Sequence, residues 1–229
     1  MKFALCNEMF GNRPVAQVAS AAGRLGYHGI EIAPFTLSRS ASAEDVTSRQ
    51  AKQVRQIIQD HGLEMVGLHW LFVGPTGLHM TTPDDRVWSR TKDYLSILVD
   101  LCADLGGKVL VVGSPKQRNL VEGQTKEGAW KRAVDLFSSV LDKAAEREVT
   151  LCIEPLSPKE TDFVNKASEA MQMVRQINHP NFKIHLDVKA MCSESKPVPD
   201  IIRSVRVEDL GHFHVNDPNL YGPGMGDVD

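Results

Sequence analysis

The sequence predicts an α/β fold in which parallel strands alternate with helices around a (β/α) barrel, rather than a two-layer sheet. Three observations carry this expectation. Short apolar runs alternate with helical stretches along all 229 residues, with no linker or low-complexity tract. The fragments LGYHGIEI, HGLEMVGL and LGGKVLVV each read as helix end, glycine, strand, a weak internal repeat of βα period. Three late strands each end on a side chain of metal-binding type: Glu154, Asp187 and His214.

The elements follow in order. KFALC (2–6) is strand one. Pro14 opens a helix with Val18, Ala22 and Leu25 on one face, and Gly26 ends it. HGIEIA (28–33) is strand two, followed by a long helix from about Ala43 through Val54, Ile57 and Ile58 to a stop at Gly62. EMVGLHW (64–70) is strand three. The loop over 71–82 holds Gly74, Pro75 and Gly77, and loops of that length often cover active sites. Asp84 and Asp85 open the next helix, where negative charge suits the dipole, and its apolar face is Tyr94, Leu98, Leu101, Cys102 and Leu105. KVLVVGS (108–114) is strand four, and Trp130, Val134, Phe137 and Leu141 mark one amphipathic helix. Strand five (150–155) ends at Glu154, a helix carries Met171, Val174 and Ile177, and strand six (182–187) ends at Asp187. A short helix around 201–205 leads to strand seven (212–215). The sequence stops at Asp229, about where one more helix and strand of the repeat are expected.

Composition narrows the function classes. Hydrophobic residues are 42% and charged residues 24%, as in an ordinary soluble globular domain. A net charge of -3 gives no electrostatic case for binding nucleic acid or a membrane. The four cysteines (Cys6, Cys102, Cys152, Cys192) are scattered, which argues against a zinc finger or disulfide framework and for a reducing, cytoplasmic compartment. Asn7 and Glu8 interrupt the first apolar stretch, so a signal peptide is not expected, and no apolar run reaches the ~20 residues that span a bilayer.

Side chains alternate across a strand, so register places the polar residues. If Glu154 points into the barrel, so does Cys152. By the same logic His185 points inward with Asp187, and His212 with His214. Glu154, Asp187 and His214 then form an upper layer at the carboxyl ends of the strands, where such barrels carry their active sites. Two carboxylates and an imidazole there suit a hard divalent metal. The lower histidines are expected to support the ligands from behind. Each residue also has a plainer reading: Glu154 and Asp187 as helix caps or salt-bridge partners, and His212 or His214 as a hydrogen-bonded core histidine.

Other polar residues gather at strand ends. Glu31 and His69 follow strands two and three. The run Ser114–Pro115–Lys116–Gln117–Arg118 follows strand four and is a candidate contact for a polyhydroxy substrate or phosphate, or else a solvated basic turn. Glu160, in a proline-containing loop, is within reach of substrate hydroxyls or lies on the surface. Trp70 and Phe72 form an apolar wall for a sugar, or core. Asp217 and the glycines of YGPGMGDVD make a loop above the site, without a phosphate-binding fingerprint.

The stretches GYHGIEI, GLHWLF, DLGGKVLVVGSPKQR, LCIEPL, IHLDVKAM and HFHVND resemble the sugar phosphate isomerase/epimerase family with the xylose isomerase-like TIM barrel, in its D-tagatose 3-epimerase-like branch. The resemblance implies a TIM (β/α)8-type barrel, here truncated after strand seven, as a single domain over 1–229 that lacks the last helix–strand–helix. It implies a divalent-metal-dependent sugar isomerase/epimerase using Mn²⁺, Mg²⁺ or Co²⁺ and acting on a sugar or sugar phosphate through an enediolate next to a carbonyl. In that branch a Glu, an Asp, a His and a second Glu hold the metal. The first three map onto Glu154, Asp187 and His214, with Glu154 also the catalytic base, and the second Glu belongs to strand eight. Glu160 matches a substrate-contacting glutamate, and His69, Trp70, Lys116 and Arg118 complete the expected substrate contacts. Ala190 stands where these epimerases often have histidine, and Leu220 where they often have arginine. The alternatives are a polyol-ketone dehydratase, an endonuclease IV-like phosphodiesterase, and a degenerate barrel that binds sugar without turnover. An open edge between strands one and seven is expected to favour association with a second copy, a homo-oligomer, and the tail over 222–229 is expected to be mobile.

Overall fold

The computed structural model describes residues 1–228. Seven parallel strands form one sheet in sequence order. They are β1 (Ala4–Cys6), β2 (Gly29–Ile32), β3 (Glu64–Leu68), β4 (Val109–Val112), β5 (Thr150–Ile153), β6 (Phe182–Asp187) and β7 (Leu210–His214). The helices between them are α1 (Val15–Arg24), α2 (Ser48–Asp60), α3 (Asp85–Leu105), α4 (Lys126–Ser138), α5 (Leu141–Glu146), α6 (Ala167–Ile177), α7 (Val188–Met191) and α8 (Val198–Ser204). β1 and β7 are the edges of the sheet, which curls until the side chain of Glu31 on β2 reaches His212 and His214 on β7. This is the expected barrel architecture, seven strands of it among the described residues.

The outward faces of the strands pack on the helices. Ile30, Ile32, Leu110, Val112, Leu151, Ile153, Ile184 and Leu186 are almost fully buried. Along α3, Tyr94, Leu95, Leu98, Leu101, Cys102 and Leu105 form one buried seam. Each such aliphatic side chain contributes ~1.5–3 kcal/mol by leaving water. Close strand packing has its own residue requirement: a β-carbon on Gly67 would stand 2.2 Å from the carbonyl oxygen of Val109. Among the described residues no helix is long and apolar enough to cross a membrane.

Local chemistry moves two boundaries from where periodicity puts them. α2 begins at Ser48, not near Ala43, because Thr47 and Gln50 form a capping box there and residues 43–45 make a separate 3-10 turn. The helix expected to run through Leu141 breaks into α4 and α5 at Ser139–Val140, where the Val140 N–H turns to the Phe137 carbonyl three residues back instead of continuing the four-residue ladder. A short helix that periodicity did not give, α7, follows β6 directly, capped by Asp187, which accepts a hydrogen bond from the Ala190 N–H. The glycine-rich stretch folds back instead of trailing: the buried Asp217 carboxylate accepts from the N–H groups of Asn219 (3.2 Å) and Val228 (3.3 Å). Asp229 lies outside the described residues.

Candidate metal centre

β5 delivers Glu154 into the barrel at its carboxyl end. The backbone there is held by Arg118, whose guanidinium donates to the carbonyls of Glu154 and Val112, both at 2.7 Å. The Glu154 carboxylate lies against Gly113, at the end of β4. β6 delivers Asp187, locked from two sides: Oδ1 accepts from the Ala190 N–H at 2.9 Å and Oδ2 from Asn216 Nδ2 at 2.6 Å. β7 delivers His214, whose Nδ1 is 4.0 Å from Asp187 Oδ2 and whose Nε2 is 3.2 Å from both oxygens of Glu31. Also from β6, His185 lies against His214, ring centroids 4.2 Å apart, with its Nε2 3.8 Å from Glu154 Oε1. One donor atom from each of Glu154, His185, Asp187 and His214 lies within 4.8 Å of the others.

The group is electrostatically unfinished. Burial, and then the Asp187 charge, push the Glu154 carboxyl up to about 7. Burial, with His214 and His212 adding to it, holds His185 well below the usual imidazole range, and both of its ring nitrogens are buried without a hydrogen-bond partner. An uncharged imidazole with a free lone pair beside two carboxylates is a donor set that suits a divalent cation, so the residues fit the metal expected of this site. Glu31 stands beside this group and is different in kind. Hydrogen bonds from His212 and His214, with the His69 ring 3.2 Å away, outweigh the cost of its burial, and its carboxyl is held well below the usual range.

The structure gathers some of the expected contact residues and separates others. His69 is buried at the end of β3, its Nε2 2.7 Å from Glu8 and its Nδ1 3.2 Å from Glu31 Oε1. Trp70 follows in a left-handed conformation (φ 52°) with half its surface exposed, whereas Phe72 is core, packed on Tyr94. Glu160 is half-buried and paired with Lys189 at 2.7 Å. Lys116 is exposed on a 3-10 turn. Arg118 does not fit the solvated basic turn that was the alternative to a sugar or phosphate contact. It is 1% exposed, and its guanidinium is occupied by two strand carbonyls because the interior offers it no water.

Two residues matter more here than strand-end position alone suggested. Glu31 was visible as a charge between Ile30 and Ile32, and strand alternation requires such a residue to face the interior if its neighbours face helices. His185 was expected behind the ligands, but its side chain joins their group.

Comparison with known proteins gives the same architecture a context. D-psicose 3-epimerase of Ruminiclostridium cellulolyticum is 27% identical over 210 residues, 90% of this chain and 67% of the relative. D-psicose 3-epimerase of Agrobacterium fabrum is 26% identical over 208 residues, 89% of this chain and 68% of the relative. The chain thus spans about two thirds of the length of these relatives. A crystal structure of D-psicose 3-epimerase in the presence of D-fructose superimposes with a TM-score of 0.85 at 22% identity, covering 100% of this chain and 77% of that one. The family described as "Xylose isomerase-like TIM barrel" matches residues 19–229. With seven parallel strands curled in sequence order and a match over nearly the whole chain, this protein belongs to the xylose isomerase-like TIM barrel family.

Proposed function

We propose that this chain, a single domain over 1–229, is a divalent-metal-dependent sugar isomerase/epimerase of the ketose 3-epimerase kind. The observation that carries the reading is the convergence of Glu154, Asp187 and His214 at the carboxyl ends of three adjacent strands. The relatives named D-psicose 3-epimerase support the substrate class, a small sugar. Free cysteines and the lack of a membrane-crossing helix among the described residues support a cytoplasmic setting.

Glu154, Asp187 and His214 would hold Mn²⁺, Mg²⁺ or Co²⁺, with His185 beside them. A bound ion of this kind supplies Lewis acidity at a carbonyl oxygen. Glu154 would remove the proton from the carbon next to that carbonyl. Burial lifts this carboxyl to about 7 in the metal-free chain, and a bound cation would hold it ionised, as a base must be; inversion at that carbon then needs a proton delivered to the opposite face by a group other than Glu154. Asp187 keeps its orientation through Ala190 and Asn216 while charge moves on its neighbour. Glu160 and Lys189 would meet substrate hydroxyls, Trp70 would offer the sugar an apolar face, and His69 would support the site through Glu31. Lys116 would contact a phosphate when the sugar carries one, and Arg118 would hold the strand end that carries Glu154.

The test is conversion of a panel of ketoses and ketose phosphates with Mn²⁺, and again after chelation, followed by chromatography. Metal-dependent formation of the 3-epimer is the expected result. Dehydration of a polyol ketone, cleavage of abasic DNA, or metal binding without turnover would each replace the proposal with a different activity.

A further inference from the structure

Glu31 faces three imidazoles in the barrel interior. It is 2% exposed. His212 Nε2 lies 2.7 Å from Oε2, His214 Nε2 3.2 Å from both oxygens, and His69 Nδ1 3.2 Å from Oε1. His69 is itself tied by Nε2 to Glu8 at 2.7 Å. These imidazoles come from β7 and from the end of β3, so Glu31 joins opposite sides of the curled sheet.

An ionised carboxylate only accepts hydrogen bonds, so a ring nitrogen facing it must carry its proton. For His214 that nitrogen is Nε2. In the neutral ring the lone pair is then on Nδ1, and Nδ1 is the atom that faces Asp187 Oδ2 at 4.0 Å. We infer that Glu31 is a positioning residue for the metal centre: it fixes the tautomer and rotation of His214 so that Nδ1 presents its lone pair to the ion. The His69 ring, tied to Glu8, stands 3.2 Å from Glu31 on its other side. The inference rests on the proposed metal centre but concerns a residue outside the ligand set. Partners behind a ligating histidine typically change metal affinity by ~10–100-fold when removed.

The experiment uses the whole chain. Mn²⁺ binding is measured by counting free ion by electron paramagnetic resonance, for wild type, Glu31→Gln, Glu31→Asp and Glu154→Gln. In parallel, the metal-free wild type labelled with ¹⁵N-histidine is read by long-range proton–nitrogen correlation as pH is raised until the ring is neutral, because Glu31 outweighs burial and holds the His214 proton above the usual imidazole range, with His214→Gln to assign the signal. The expected result is an Nε2–H tautomer at His214 in wild type and a Kd for Mn²⁺ raised ~10–100-fold in Glu31→Gln, with Glu31→Asp between the two. A merely structural carboxylate would lower melting temperature without moving the affinity of the folded fraction. An Nδ1–H tautomer in wild type, or a Glu31→Gln Kd within about twofold of wild type while Glu154→Gln loses binding, overturns this inference and leaves the metal centre standing. Wild type that binds no Mn²⁺ overturns both. If Glu31→Gln fails to fold, the wild-type tautomer decides.

Discussion

Gly113 and Glu154 are in contact at the ends of neighbouring strands, so close that a β-carbon on Gly113 would stand 1.9 Å from Glu154 Oε2. The glycine is there to leave room for a carboxylate. Gly113→Ala is expected to leave the fold intact, because the obstructing atom is the far end of a flexible side chain. It should displace the Glu154 carboxylate and weaken Mn²⁺ binding at least tenfold, of the order seen when a ligand's immediate support is lost. Circular dichroism together with a Mn²⁺ titration checks both halves.

Arg118 predicts a change in stability. Its guanidinium donates to two carbonyls where water cannot replace it. Arg118→Ala would strip a charged donor from both carbonyls, leaving the Val112 oxygen only its 3.2 Å bond from the Glu154 N–H, and open a cavity, at a cost of roughly 2–5 kcal/mol. Urea unfolding measures the loss, and an unchanged midpoint would mean that the two bonds contribute nothing net.

The elevated Glu154 carboxyl predicts a pH dependence for the metal-free chain. A folded-state value of about 7 against an ordinary 4.5 means that the folded chain keeps this proton after the unfolded chain has lost it. This group's contribution to stability is therefore greatest below 4.5 and declines as pH rises to about 7. Glu154→Gln, which keeps the shape without the titration, should gain stability over wild type across that window, by up to roughly 3 kcal/mol at its upper end. Parallel urea melts across the window supply the comparison, and a difference that stays flat with pH would contradict the assigned cause.

Lys116 and Glu160 separate two kinds of substrate contact. Lys116 is exposed on its turn, so Lys116→Ala should leave stability within about 0.5 kcal/mol of wild type. It should raise KM for a ketose phosphate but not for the plain ketose. Glu160→Gln, which weakens the pair with Lys189, should raise KM for both. Steady-state kinetics on matched sugars with and without phosphate distinguishes them.

Much of this arrangement was legible in the sequence because two periods carry it. The helix–glycine–strand repeat gave the order of elements, and alternation along a strand put Glu154, Cys152, His185, Asp187, His212 and His214 on one face. Alternation says which face a side chain takes but not what it meets there. The sequence therefore could not reveal that Glu31, on the second strand, meets two imidazoles from the last strand and one from the end of the next. It also could not separate Lys116 from Arg118, adjacent members of one basic turn, because one was to stay in water and the other to be buried on strand carbonyls. Helix starts moved for the same reason, since the capping box at Thr47 and Gln50 outweighed the apolar period.

The most direct test of the central claim follows hydrogen at the carbon beside the carbonyl. A ketose is incubated with the chain and Mn²⁺ in deuterated water, and proton NMR reads deuterium entering at C3. The account predicts metal-dependent deuterium incorporation at C3 by wild type, with the 3-epimer as product, and none by Glu154→Gln at unchanged fold. Incorporation by Glu154→Gln at the wild-type rate, or no exchange by a wild type that binds Mn²⁺ at Glu154, Asp187 and His214, would contradict it.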